Sequence, residues 1–365
     1  MKKLKRGVLK TLFITAVLMI ICQANLFPWG SEEDVSMISG HVYIVENSLI
    51  CLQNDLSDTD KYDNDFMKNM DYFVQYIEKF KKGAVAPDYS ESNYTLFQDH
   101  FYDPYSGVNF SALKDGFVLT NLTYIHETAE SRAREYTAEA LRLWRKGYIE
   151  EAIYTFGKAF HYIGDMSVPQ HAANAISATW EAWTFHHTFE SYADSFWLNQ
   201  AKSTLSTMGY KTDKDTYTES KNYSFFSDYL RAEIDRMAKE ANNSYYELFD
   251  ANLEPFQTWI IDKLESHPVY GPLVLAAAGK TAKLNEISLI LSATSNNDSL
   301  YKDYLFTDEH NEVIKDIWDQ AAVKNLLNGQ RAAARIIYSF LNELRINNIS
   351  VTDNSEMIRD RKSVV

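Results

Sequence analysis

The feature that most constrains this chain is the run His161-Tyr-Ile-Gly-Asp165-Met-Ser-Val-Pro-Gln-His171, followed by His186-His-Thr-Phe-Glu190. Residues four apart stand one turn above each other on a helix face, so His161 with Asp165, and His186 with Glu190, can each grip one ion. His187, three residues before Glu190, is the alternative partner for that carboxylate. Pro169 disfavours helical geometry at Val168, which ends the first helix and brings His171 in from a separate segment. A single His/Asp pair on a helix is most often solvated or a satisfied hydrogen bond. Two pairs with a further histidine between them make coincidence the weaker explanation. Imidazole and carboxylate donors with no thiolate suit a catalytic zinc site better than a closed structural one.

The rest of the chain reads as helix. Glu127 to Lys146 mixes Ala, Leu, Glu and Arg with apolar positions at helical spacing, and Tyr148 to Met166 carries a similar stripe ending in the His161/Asp165 pair. Alternating β-branched runs are scarce, and there is no internal repeat and no low-complexity linker. An all-α fold in a single helical domain is expected. Segment 195–325 is rich in Tyr, Asn, Ser and Asp, with an apolar stretch at Val269 to Gly279 too short to cross a bilayer. It reads either as extra helices on the same core or as a lid over the site.

At the amino terminus, Lys2, Lys3, Lys5 and Arg6 precede an apolar run from Thr11 to Cys22, the pattern of a cleaved secretory signal rather than an anchor. Export is expected, with residues 1–28 as signal peptide and short propeptide. Ala24 is a plausible small residue for the cut and Pro28 a poor one, so a second trimming step would be needed to free Trp29. The remainder holds one cysteine, Cys51, and so no intramolecular disulfide. Residues 1–28 carry five Lys/Arg and no acid, so the formal charge of −14 becomes −19 without them. Such acidity argues against electrostatic capture of nucleic acid.

The run "FHYIGDMSVPQHAAN" from Phe160 to Asn174 resembles the signature of the bacterial zinc-dependent phospholipase C family, a His-x-x-x-Asp-x-x-x-x-x-His core with a later His-x-x-x-Glu. "FQDHFYDPYSG" (Phe97 to Gly107) resembles the family's segment carrying a further histidine, here His100. "PDYSES" (Pro87 to Ser92) resembles the segment carrying its aspartate, here Asp88. "WGSEEDVSMISGHVYIVENSL" (Trp29 to Leu49) resembles the mature amino terminus, with Trp29 and His41. "GQRAAARIIYSFLNEL" (Gly329 to Leu344) resembles the helix that closes the catalytic domain. The likeness covers 29–345 and is weak across 195–325. The 346–365 tail is polar, and too short for the carboxy-terminal β-sandwich of some members, which is expected to be absent.

The resemblance implies three zinc ions. One would be held by Asp88, His100, His161 and Asp165, a second by His171, His186 and Glu190, and a third by Trp29, His41 and a bridging Asp165. Three dications against three carboxylates leave a local charge near +3, the complement of a phosphodiester and its transition state. Zinc lowers the pKa of bound water to about 7, and Asp88 is the carboxylate expected to orient or deprotonate that water, or else to serve as ligand alone. Trp29 would bind through its α-amine, which must be unprotonated, so acid should weaken the third site. Glu32, Tyr89 and Phe97 match the family's choline-binding positions, a carboxylate beside two ring faces; ethanolamine and serine headgroups stay open. The implied activity is a secreted, extracellular, monomeric phospholipase C, which cleaves phosphatidylcholine at membrane surfaces to diacylglycerol and phosphorylated headgroup. A nuclease of the related S1/P1 type and a zinc-stabilised membrane-binding protein without turnover are the alternatives. The fifteen positions from His171 to His186 and the terminal Glu190 favour the lipase.

Overall fold

The computed structural model describes residues 39–57, 60–61, 63–90, 97–112, 125–175, 189–190, 193, 214–249 and 312–360. Trp29, Glu32, His186, His187, the basic amino terminus and most of 195–325 lie outside them. Helices dominate the described residues, with no strand and one isolated antiparallel bridge, Asp103 to Val108. The expected all-α class is what the chain adopts. No described helix is long and apolar enough to cross a membrane.

Helix α1 (Gly40–Asp55) starts at Ser39, whose Oγ accepts from Val42 N, and it is buried on nearly every side, the pattern of a central helix. Helix α2 (Asn64–Gln75) is capped by Asp63, which accepts from the Asp65 and Phe66 amides. Helix α3 (Ile77–Ser90) contains Pro87 in its last turn. Helix α4 (Ala129–Arg145) opens with a reciprocal cap between Thr128 and Ser131. It closes on Gly147 at φ +85°, where Gly147 N donates to Trp144 O and Tyr148 N to Leu143 O. That left-handed residue satisfies the last carbonyls and reverses the chain into α5 (Ile149–Asp165). Both helices fall within two residues of the spans expected from periodicity.

Val168 is extended, and Pro169 takes the first position of the short helix α6 (Pro169–Ala172). The break expected from proline is therefore the one observed. Helix α7 (Phe226–Ser244) packs on α6 and α4, and α8 (Glu312–Asp360) packs along α1 and α7. The helix expected over Gly329 to Leu344 is the middle of α8, which runs on to Asp360 because no glycine or proline follows Leu344 to end it.

The core is aromatic. Phe73, Phe80, Phe156, Phe160, Phe340 and Trp144 form one contact network, with the Phe156 and Phe340 rings stacked at 4.2 Å. Burial of each ring contributes roughly 1.5–3 kcal/mol. Beside this network α3 crosses α5 at Gly83 and Gly157, where a Cβ on Gly83 would lie 2.1 Å from Tyr154 O and one on Gly157 2.3 Å from Phe80 O. The two backbones thus touch, and that contact sets the last turn of α3 against the last turn of α5.

Candidate metal centre

Seven of the nine residues expected as metal ligands lie within the described residues: His41 on α1, Asp88 on α3, His100 on a short 3-10 turn (Gln98–His100), His161 and Asp165 on α5, His171 on α6, and Glu190. All seven are brought to one buried place, none more than 3% exposed. Asp165 is the hub. Its Oδ2 lies 3.1 Å from His100 Nδ1 and 3.5 Å from His161 Nε2, while Oδ1 lies 3.7 Å from both His41 Nε2 and His171 Nδ1. Asp88 Oδ1 stands 3.4 Å from His161 Nε2 and 3.7 Å from His100 Nδ1, and His171 Nε2 stands 3.1 Å from Glu190 Oε1.

Most of these spacings, at 3.4–3.7 Å, are long for hydrogen bonds and suit ligands of one metal. Ligand atoms around a tetrahedral zinc at about 2.0–2.1 Å stand roughly 3.4 Å apart, and the donors of Asp88, His100 and His161 scatter about that value. Two compact groups, His41/His161/Asp165 and Asp88/His100/His161, each offer three donor atoms within 4.8 Å of one another. Both Asp165 oxygens and both His41 nitrogens are buried without a hydrogen bond of good geometry among the described residues. Buried polar atoms so placed are costly unless a cation meets them.

The tautomers are set from outside the centre. His161 Nδ1 lies 2.7 Å from Ala84 O, and His171 Nδ1 lies 2.7 Å from His100 O. Donation to these carbonyls leaves the Nε2 lone pairs of both rings facing inward, an arrangement typical of metal-bound histidine. Pro87 removes one helical hydrogen bond from the turn in which the Ala84 carbonyl turns to His161. Around the rings, His41 stacks on His161 at 4.1 Å and Phe101 lies parallel to His171 at 4.4 Å.

Electrostatics follow from burial and proximity. Burial depresses His41, and the nearby imidazoles add to this. Burial also opposes charge on His161, but the carboxylates of Asp88 and Asp165 outweigh it and raise the ring to about 9. His100 is raised because Asp165 outweighs the same penalty. Asp165 stays well below the usual carboxylate range, since three imidazoles overcome its burial. Glu190 is pushed up to about 7 by burial, with His171 opposing. Without metal, His100, His161 and Glu190 thus hold their protons more tightly than in water, and His41 and Asp165 less tightly.

Of the expected headgroup residues, Tyr89 follows Asp88 and is 36% exposed, and Phe97 sits 5.4 Å from the His100 ring. Phe97 has φ +59°, a left-handed backbone that a bulky residue adopts at a cost of about 1–2 kcal/mol. Sequence reasoning missed Gly164, the Ala84 and His100 carbonyls, Phe101, and the Asp99–Arg132 pair. A signal existed for Gly164 alone, a glycine inside a helical pattern beside two candidate ligands.

An all-helical fold closed over a buried nitrogen and oxygen centre defines a class of metal-site proteins. A family model for zinc dependent phospholipase C matches residues 40–244, and the chain belongs to that family. The chain is 34% identical over 249 residues to a phospholipase C of Clostridium novyi, covering 67% of this chain and 58% of that protein. It is 29% identical to a phospholipase C of Paraclostridium bifermentans, covering 79% of this chain and 67% of the relative. It thus spans between about three-fifths and two-thirds of those relatives' length. Among solved structures, the alpha toxin of Clostridium absonum matches with a TM-score of 0.60 at 23% identity, covering 87% of this chain and 66% of the toxin, a likeness of fold.

Proposed function

We propose that this protein is a secreted phospholipase C that hydrolyses the glycerol-side phosphodiester of phosphatidylcholine, using three zinc ions. The observation that carries the reading is Asp165, buried and facing histidines from both of its oxygens, with Asp88 across the same space. Trp29 and His186, outside the described residues, complete the donor set in this reading.

When bound, zinc supplies positive charge for a phosphodiester and a water acidified to a pKa of about 7. The chain's own residues do the rest. Asp88 takes the proton of the attacking water on its carboxylate and orients its lone pair toward phosphorus. The Ala84 and His100 carbonyls keep His161 and His171 in the tautomer that presents Nε2 inward. The rings of Tyr89 and Phe97, with Glu32, receive the trimethylammonium, a cation that cannot donate hydrogen bonds. The acidic balance of the chain agrees with a zwitterionic rather than a polyanionic substrate.

The test is product analysis by mass after mixing the purified zinc-loaded protein, with and without chelator, with phosphatidylcholine vesicles, phosphatidylethanolamine vesicles and single-stranded DNA. Chelator-sensitive diacylglycerol and phosphocholine are expected. Diacylglycerol from the ethanolamine lipid alone would remove the choline assignment and keep the reaction. Nucleotides without lipid products, or no product at all, would overturn the reading.

A further inference from the structure

We propose that the ion pair between Asp99 and Arg132 is a positioning pair that holds two histidines of the centre, His100 and His171, at the same time. The inference rests on the reading of both as metal-binding residues.

His100 is carried by a three-residue 3-10 turn with only two hydrogen bonds of its own. Its internal hydrogen bonds, His100 N to Phe97 O and Phe101 N to Gln98 O, are 3.1 and 3.4 Å long, and it is entered through the left-handed Phe97. Asp99, in the middle of that turn, is 1% exposed, and its Oδ2 accepts from Arg132 Nε at 3.0 Å. Arg132 is itself clamped, since NH1 donates to Glu135 on the same helix at 3.0 Å. The start of α4 is tied to the same strip of chain by Ala129 N donating to Phe101 O. A rigid helix therefore grips the turn through one buried carboxylate.

The residue after Asp99 serves both halves of the centre. The His100 ring lies with His161 and Asp165, while the His100 carbonyl orients His171, whose Nε2 faces Glu190. Tyr102 N returns a bond to His171 O at 3.3 Å. Movement of the turn displaces a donor atom of one group and the hydrogen bond that aims a donor of the other.

The experiment follows zinc leaving the loaded protein for an excess of a chromogenic chelator, counted per chain. In Asp99→Asn and Arg132→Gln, two zinc equivalents are expected to leave together, about 10–100-fold faster than in wild type, with Arg132→Lys intermediate. Arg134→Gln, which breaks the neighbouring pair with Glu130 on the same helix, is expected to release zinc at the wild-type rate. Thermal unfolding in chelator separates general loss of stability, and the variants are expected to differ from wild type more when zinc-loaded than when chelated. Release at the wild-type rate, or acceleration of a single equivalent, would overturn the inference while leaving the proposed function standing. A wild-type protein that holds no zinc tightly would instead overturn the reading beneath it.

Discussion

His41 and Gly164 are so closely apposed that a Cβ on the glycine would stand 2.6 Å from His41 Nδ1. The contact lets α1 lie on the last turn of α5, which lays the His41 ring on that of His161 and brings its Nε2 to 3.7 Å from Asp165 Oδ1. One missing methyl group thus admits a third donor residue to the face that already carries His161 and Asp165.

Gly164→Ala separates helix propensity from packing. Propensity alone favours alanine inside a helix by about 0.8–1 kcal/mol. The expected outcome is the reverse, a net loss of about 1–3 kcal/mol from overpacking, with bound zinc falling by one equivalent. Urea unfolding in chelator and metal content per chain measure the two parts, and a stabilised variant with full zinc would refute the account.

At the crossing of α3 and α5, Gly157→Ala places a Cβ 2.3 Å from Phe80 O and forces the backbones apart. A cost of at least about 1–3 kcal/mol is expected. Because the same crossing sets Ala84 O against His161 Nδ1, zinc affinity should drop as well. Titration against a competing chelator would detect this, and unchanged affinity in a folded variant would disconnect the crossing from the centre.

Stability should depend on pH with opposite signs in the chelated and zinc-loaded protein. His161 is raised from 6.5 to about 9, so the folded protein binds its proton more tightly than the unfolded chain. That contribution is complete below pH 6.5 and is lost as pH rises through 9. His100 acts in the same direction. His41, depressed, adds no slope above 6.5, and depressed Asp165 matters only in acid. The chelated protein should therefore lose stability between pH 6.5 and 9, about 3 kcal/mol from His161 alone, with His100 and the raised Glu190 adding in the same direction, whereas zinc, which needs deprotonated ligands, should bind more tightly over that range. Denaturant midpoints at the two pH values check this, and parallel slopes would contradict it.

Asp88→Asn tests the carboxylate proposed as base. A fall in kcat of about 10²–10⁴-fold is expected, with KM changed far less, and the fall should persist when excess zinc refills the position that Asp88 also helps to hold. Activity that excess zinc restores would assign Asp88 as a ligand only.

Much of the centre was legible before any fold was known. The four-residue spacing of His161 and Asp165 puts both on one face whatever surrounds the helix, and Pro169 breaks the chain before His171 by local sterics alone. Helices α4 and α5 were legible for a similar reason, since an apolar stripe of period 3.6 needs only neighbours in sequence to declare itself. His41, Asp88 and His100 stand apart in sequence with no shared spacing. They were recognisable through likeness to a family and through no local pattern.

Other features belong to contacts between distant parts of the chain. That Gly164 serves His41, that the Ala84 carbonyl accepts from His161, that Phe101 covers His171 and that Arg132 grips Asp99 are pairings across 33 or more residues in every case. Nothing in the spacing of residues predicts them, because they arise where two packed helices happen to present a gap, a carbonyl or a charge to each other. Donor types, and the helices that carry most of them, follow from residue identity and local spacing. The tautomers of His161 and His171, and how tightly the histidines are held, come from the fold, since they depend on hydrogen bonds and close approach between elements that packing alone brings together.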